Sequence, residues 1–152
     1  MADVVTPETR SRMMAGIRGK DTKPEMLVRR VLFAEGLRFR LHRRDLPGAP
    51  DIALPGKKVA IFVHGCFWHR HEGCGYAKMP ATRPEFWKAK LEGNAERDER
   101  AIQALRAMGW RVLIVWECAI RDKEKLSTLP KVLSDWIRSD APLGEVAGGA
   151  MP

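Results

Sequence analysis

"KKVAIFVHGCFWHRHEGC", Lys57 to Cys74, joins two kinds of sequence without a break. Its first half contains Val59 to Val63, a continuous apolar run of the kind found in strands buried on both faces. Its second half brings together three histidines, two cysteines and the adjacent pair Phe67 and Trp68. The whole chain has only four His and three Cys, and the ones outside this stretch are His42 and Cys118. A core strand that runs straight into potential metal ligands puts chemistry at the end of a sheet.

Working outward, Leu46–Pro50 reads as loop and Asp51–Leu54 as a short extended segment. Pro55-Gly56 carries a type II turn signal, so the extended segment and Val59–Val63 are predicted to form a β-hairpin. Further on, "ATRPEFWKAKLEGNAERDERAIQALRAMG" (81–109) is the longest helical pattern, with Thr82 and Glu85 as a capping box and Gly109 as the stop. "WRVLIVWECAI" (110–120) reads as a central strand with Cys118 at its end, and Leu129–Ile137 as a last amphipathic helix. Before the hairpin, "TKPEMLVRRVLFAEGL" (22–37) predicts a helix capped by Thr22 and Glu25, with an inward stripe at Met26, Leu27, Arg30, Val31 and Ala34. "PETRSRMMAGIRG" (7–19) predicts a short, weakly anchored helix. The fold class is therefore α/β, a mixed central sheet flanked by helices. Residues 1–20 are assigned to an N-terminal arm, 21–139 to the main domain and 140–152 to a disordered tail.

The 152 residues carry a formal charge of +8, which makes a polyanion a natural partner. Residues 1–48 hold 11 Lys/Arg against 6 Asp/Glu, whereas 121–152 are balanced at 5 against 5. Pro and charges interrupt every apolar stretch, so neither a signal peptide nor a membrane span is expected. An odd cysteine count argues against a secreted disulfide framework and for reduced thiols in the cytosol.

The spacing Cys66-x4-His71-x2-Cys74, with Cys118 from a distant element, composes a Cys3His set that uses every cysteine of the chain. Three thiolates and an imidazole complete a closed, tetrahedral, structural zinc site. His69 is two residues from His71, and spacing admits either as the fourth ligand. Asp51, after Pro50 at the start of a hairpin strand, sits where metal-dependent nucleases place the carboxylate that holds Mg2+; an Asp capping a turn is the plain alternative. Phe67 and Trp68 beside glycine and basic residues suit base stacking or wedging, with core packing as the alternative. Asn94 and Asp98 share one helix face, and by sequence alone solvated surface is the simplest role for them.

"PGAPDI", "IFVHGCFWHRHEGC", "PATRPEFWKAKLEGNAERD" and "GWRVLIVWECAI" resemble the very short patch repair endonucleases, the Vsr family. The likeness runs from about Thr6 to Ile137. It implies a restriction-endonuclease-like core with a structural Zn2+ on Cys66, His71, Cys74 and Cys118. It implies nicking of double-stranded DNA on the 5′ side of the thymine in a T:G mismatch, using Mg2+. Such mismatches arise when 5-methylcytosine deaminates. Asp51 would bind the Mg2+ together with the backbone carbonyl of Val63, His69 would be the catalytic histidine, and Glu25 and His64 would act through water. Phe67, Trp68 and Trp87 would form the wedge, Met14 a minor-groove contact, and Asn94 and Asp98 polar recognition positions. A bacterial, nucleoid-associated cytoplasmic monomer is expected, with mismatch-repair proteins as admissible further partners. Two departures stand out: Val63 replaces a threonine, and "HRHEGC" has one residue more between His71 and Cys74 than the family pattern. A zinc-stabilised DNA-binding module without catalysis and a restriction-type endonuclease are the alternatives.

Overall fold

A computed structural model describes residues 22–148. Helix α1 (Lys23–Ala34) is followed by β1 (Arg40–Leu41), β2 (Ile52–Leu54) and β3 (Val59–His64). The long helix α2 (Pro84–Ala107), β4 (Arg111–Trp116), the short α3 (Glu117–Arg121), α4 (Lys123–Arg138) and β5 (Leu143–Val146) complete the chain. The five strands form one sheet in the order β1-β2-β3-β4-β5. The β1–β2 and β2–β3 pairs are antiparallel, and β3–β4 and β4–β5 are parallel. The expected mixed sheet flanked by helices is present.

The period-2 geometry of strands assigns each core residue to a face. Val59 and Ile61 of β3, with Leu113 and Val115 of β4, pack with Val28, Leu32, Leu129 and Leu133 of α1 and α4. Ala60 and Phe62, with Val112, Ile114 and Trp116, pack with Ile102 and Leu105 of α2. Cys66 and Cys118 belong to this second face, so the cysteine cluster lies on the α2 side.

Several local expectations change. The inward face of α1 is Glu25, Val28 and Leu32, while Arg30 and Ala34 are exposed. The helix is turned from the predicted stripe because Glu25 is drawn inside by tertiary partners. Thr22 does cap α1, accepting from the Glu25 N–H at 3.4 Å. At α2 the N-cap is Arg83, with φ 52° and no side-chain cap, so the Thr82–Glu85 box does not form. The hairpin turn is a single 3-10 turn, Pro55–Lys57, closed by Lys58 at φ 52°, in place of a type II turn with Gly56 left-handed. Cys118 sits in α3 and not at the end of β4. Part of the predicted disordered tail is β5, whose pairing with β4 gives Leu143–Val146 the hydrogen bonds that composition does not foretell. Residues 1–21, and with them the proposed arm and Met14, lie outside the described residues.

Candidate active site and metal centre

Two clusters sit back to back at the carboxyl ends of β3 and β4, the edge at which parallel strands of α/β sheets commonly present their ligands. β3 and β4 run in register to the pair His64–Trp116. Beyond that pair the chains diverge. One becomes the turn Cys66–Arg70 and the other enters α3. Cys66 and Cys118 each lie two residues past the last paired position, which is why residues so far apart in sequence meet.

Sulfur and nitrogen atoms of Cys66, His71, Cys74 and Cys118 lie within 4.8 Å of one another. The ring of His71 stacks on Trp116, with centroids 4.0 Å apart and planes within 3°. Its Nδ1 is 3.6 Å from Cys118 Sγ. Cys118 Sγ also accepts the Gly148 N–H at 3.1 Å. A Cβ on Gly148 would come within 2.7 Å of the Cys118 carbonyl oxygen, so only glycine lets the chain pass this close. Burial pushes the Cys66 and Cys118 thiols up and the His71 imidazole down. A coordinated cation reverses the effect on the thiols by favouring thiolate. The extra residue in the loop does not prevent His71 and Cys74 from converging. The donor set fits four-coordinate zinc.

On the other side, a cleft of about 890 Å³ is lined by Glu25, Asp51, His64, His69, Trp68 and Asp98, among others. His69 Nδ1 and Asp98 Oδ2 are 2.6 Å apart. The His69 ring stacks on His64, with centroids 3.7 Å apart and planes within 3°. The structure thus separates the two histidines that spacing left interchangeable: His71 joins the cysteines and His69 joins His64 and Asp98. Arg70 between them takes φ 50°, a left-handed kink rare for a residue with a side chain.

Asp51 hangs on the loop before β2. Gly48, at φ 75°, packs so tightly on α2 that a Cβ would meet Ala101 Cβ at 2.6 Å, and Ala49 is also left-handed at φ 46°. These two residues bend the loop so that Asp51 Oδ2 accepts the Val63 N–H at 2.8 Å. Burial raises the Asp51 carboxyl to about 6, opposed by the Val63 hydrogen bond and assisted by the nearby Glu25 charge. His64 is held well below the usual histidine range by burial and then by the neighbouring His69. Its Nδ1 is buried with no hydrogen-bond partner among the described residues.

Glu25 is only 1% exposed. Its carboxylate meets the Arg29 guanidinium and, at 2.9 Å, His42 Nε2. His42 had been given no role from sequence; its being the single histidine outside the cluster was the available signal. Lys90, Arg97 and Glu117 also line the cleft without having been singled out.

Phe67 and Trp68 are half-buried in a turn, not a strand. Their two rings meet edge to face, 5.1 Å apart between centroids. Both rings meet Trp87 from the first turn of α2, at 5.5 and 6.0 Å between centroids. Asn94 is no solvated bystander: its Nδ2 donates to the Trp68 carbonyl at 2.9 Å. With Asp98 on His69, one face of α2 braces both the aromatic turn and the histidine.

The family model described as DNA mismatch endonuclease Vsr matches residues 2–75. DNA mismatch endonuclease Vsr of Escherichia coli is 45% identical over 148 residues, covering 96% of this chain and 94% of that protein. Type II nicking enzyme V.XorIIP of Xanthomonas oryzae is 49% identical over 122 residues, covering 80% and 89%. Type II nicking enzyme V.NmeAIP of Neisseria meningitidis is 39% identical over 139 residues, covering 89% and 99%.

Proposed function

The chain belongs to the Vsr family of DNA mismatch endonucleases, and on that premise we propose that it nicks one DNA strand on the 5′ side of the thymine in a T:G mismatch. The mismatch would come from deaminated 5-methylcytosine, and the nick would start very short patch repair. The observation that carries this proposal is that Asp51, His69 and Trp68 line one cleft.

Asp51 is a half-buried carboxylate whose Oδ2 accepts the Val63 N–H and which lines the cleft. With the Val63 carbonyl it would hold Mg2+; a carbonyl donor makes the threonine-to-valine change harmless. When bound, Mg2+ supplies charge neutralisation at the phosphate and a water acidified enough to attack it. Asp98 fixes the orientation of His69 through Nδ1, which leaves Nε2 to exchange a proton at the reacting water or leaving oxygen. His64, kept neutral, stacks behind that ring and holds it in place. Glu25 would act through water near Asp51. Zn2+ on Cys66, His71, Cys74 and Cys118 would clamp the turn to α3 and make a rigid mount for Phe67 and Trp68. The strand-end arrangement of these groups is consistent with a restriction-endonuclease-like core.

A T:G wobble opens at lower cost than a matched pair, so aromatic insertion by Phe67, Trp68 and Trp87 selects for it. Asn94 and Asp98 would take part in recognition while bracing the turn, Met14 would reach the minor groove, and the basic residues 1–48 would grip phosphates. On this reading the partner is double-stranded DNA with a T:G mismatch, the enzyme would work as a monomer in the nucleoid-bearing cytoplasm, and mismatch-repair proteins are admissible further partners. Among the described residues no helix is long and apolar enough to cross a membrane.

The test is a nicking assay on T:G duplexes with and without Mg2+, run beside Asp51→Ala. Nicking by the wild type alone, only with Mg2+, is expected. An Asp51→Ala variant that nicks at the wild-type rate would remove Asp51 from the metal site. No cleavage by wild type would leave a binding module, and linearised plasmid would indicate a restriction-type enzyme.

A further inference from the structure

We propose that His42 and Glu25 complete a metal site with Asp51 that takes first-row transition cations such as Mn2+ in preference to Mg2+. This rests on and deepens the endonuclease proposal: Glu25, which acts through water when Asp51 and the Val63 carbonyl hold Mg2+, becomes a direct ligand for a cation that also takes His42. Donor atoms of Glu25, His42 and Asp51 lie within 4.8 Å of one another. A six-coordinate ion with bonds near 2.1 Å holds adjacent ligand atoms about 3.0 Å apart and opposite ones about 4.2 Å apart. The 2.9 Å between His42 Nε2 and Glu25 Oε2 matches the adjacent spacing, so turning the imidazole and the carboxylate, without separating them, would direct both at one cation.

The backbone holds His42 for this purpose. It follows β1 with φ 47°, a conformation uncommon outside glycine. Its N–H donates to the Asp51 carbonyl at 3.0 Å. The two residues that would share the ion are therefore tied together through the main chain as well. Glu25 is fixed from the helix side, where Thr22 caps α1 and Pro24 lies in its first turn.

The ligand chemistry sets the preference. Mg2+ favours oxygen donors and retained waters, whereas an imidazole nitrogen raises affinity for transition ions along the series from Mn2+ upward. Arg29 Nη2 contacts the same Glu25 oxygen and lies 3.4 Å from His42 Nε2, so the guanidinium must swing aside for an ion to take both donors.

The experiment uses zinc-loaded full-length protein and Mn2+ alone, without DNA. Electron paramagnetic resonance counts bound Mn2+, and spin-echo spectroscopy detects nitrogen coupled to it. Wild type is expected to bind one Mn2+, with an imidazole nitrogen signal, and to release it only to a large excess of Mg2+. His42→Gln should lose the nitrogen signal and weaken Mn2+ tenfold or more, while its Mg2+ affinity shifts less. Bound Mn2+ without nitrogen coupling in the wild type would overturn the proposal, whatever the variant's folding. So would equal Mn2+ affinity in the two proteins. Nicking by wild type in Mg2+ is scored separately. If nicking occurs and Mn2+ ignores His42, this inference alone fails. If Mn2+ needs His42 but no duplex is nicked, the endonuclease proposal alone fails.

Discussion

Replacing Asp51 by Asn should make the metal-free protein more stable while making it inactive. Burial raises the Asp51 carboxyl to about 6 from an ordinary 3.8. The unfolded chain therefore releases this proton near 3.8 and the folded chain near 6. Between those values folding must take up a proton, so the contribution to stability falls as pH rises, and it is flat above about 7. At 1.36 kcal/mol per pH unit the full penalty is about 3 kcal/mol. Asparagine has no proton to lose, and its carbonyl oxygen can still accept from Val63. At pH 8 without added divalent cation, Asp51→Asn should melt about 10 °C above wild type, taking about 3 °C per kcal/mol for a chain of this size. At pH 5 the advantage should shrink to about half, because much of the folded wild type is then still protonated there and unburdened. Adding Mg2+ should raise the melting temperature of wild type only, since the cation stabilises the charged carboxylate it binds. The measurement is a set of thermal unfolding curves at both pH values with and without Mg2+. A variant no more stable than wild type at pH 8, or an advantage independent of pH, would refute the assignment of Asp51 as a strained, cation-ready carboxylate.

Three further outcomes are expected. Cys118→Ser should reduce bound zinc from one per chain to none and lower the melting temperature by at least about 10 °C, because structural zinc contributes on the order of 10 kcal/mol to folding; unchanged zinc content by elemental analysis would dismiss the site. Asp98→Asn should slow nicking about a hundredfold when measured in single turnover at saturating enzyme, which separates the rate from any loss of DNA affinity. That is less than the loss of about 10⁴ in a fully buried triad, because the Asp98 and His69 side chains are 26% and 29% exposed; a rate within twofold of wild type would contradict the bracing role. Trp68→Ala should weaken binding to a T:G duplex ten- to a hundredfold, the equivalent of about 1–3 kcal/mol for a lost stacking platform. Fluorescence anisotropy on matched and mismatched duplexes reads it, and an equal loss on both would rule out a mismatch wedge.

What the sequence made legible was what depends on neighbours along the chain. Val59–Val63 and Val112–Trp116 are apolar runs and form most of β3 and β4. The zinc candidates were legible because count and spacing agree. What stayed hidden depends on contacts across the fold. Glu25 faces inward because Arg29 and His42 satisfy it, and His42 is 17 residues away; no helical periodicity encodes that. Segment 143–146 contains Gly and Glu amid a Pro- and Gly-rich stretch, and only the exposed edge of β4 makes it a strand. His69 and His71 part to different clusters across the left-handed φ of Arg70, for which arginine gives no local signal.

That kink ties the two clusters into one device. His69 and His71 are two residues apart, yet one is gripped by Asp98 of α2 and the other lies against Cys118 of α3. The turn carrying Phe67 and Trp68 is therefore held on both sides, by a carboxylate on one element and a thiol on another. Asn94 adds a third hold at the Trp68 carbonyl. Loosening the cysteine side should let the turn relax its left-handed residue, which moves His69 relative to Asp51 and the aromatic rings relative to one another. The cysteine cluster then matters to chemistry without touching a reacting atom. Its loss should lower nicking and mismatch discrimination together, whereas changes at Asp51 should lower nicking alone. Placing both groups just beyond the in-register pair His64–Trp116 is what makes this coupling short.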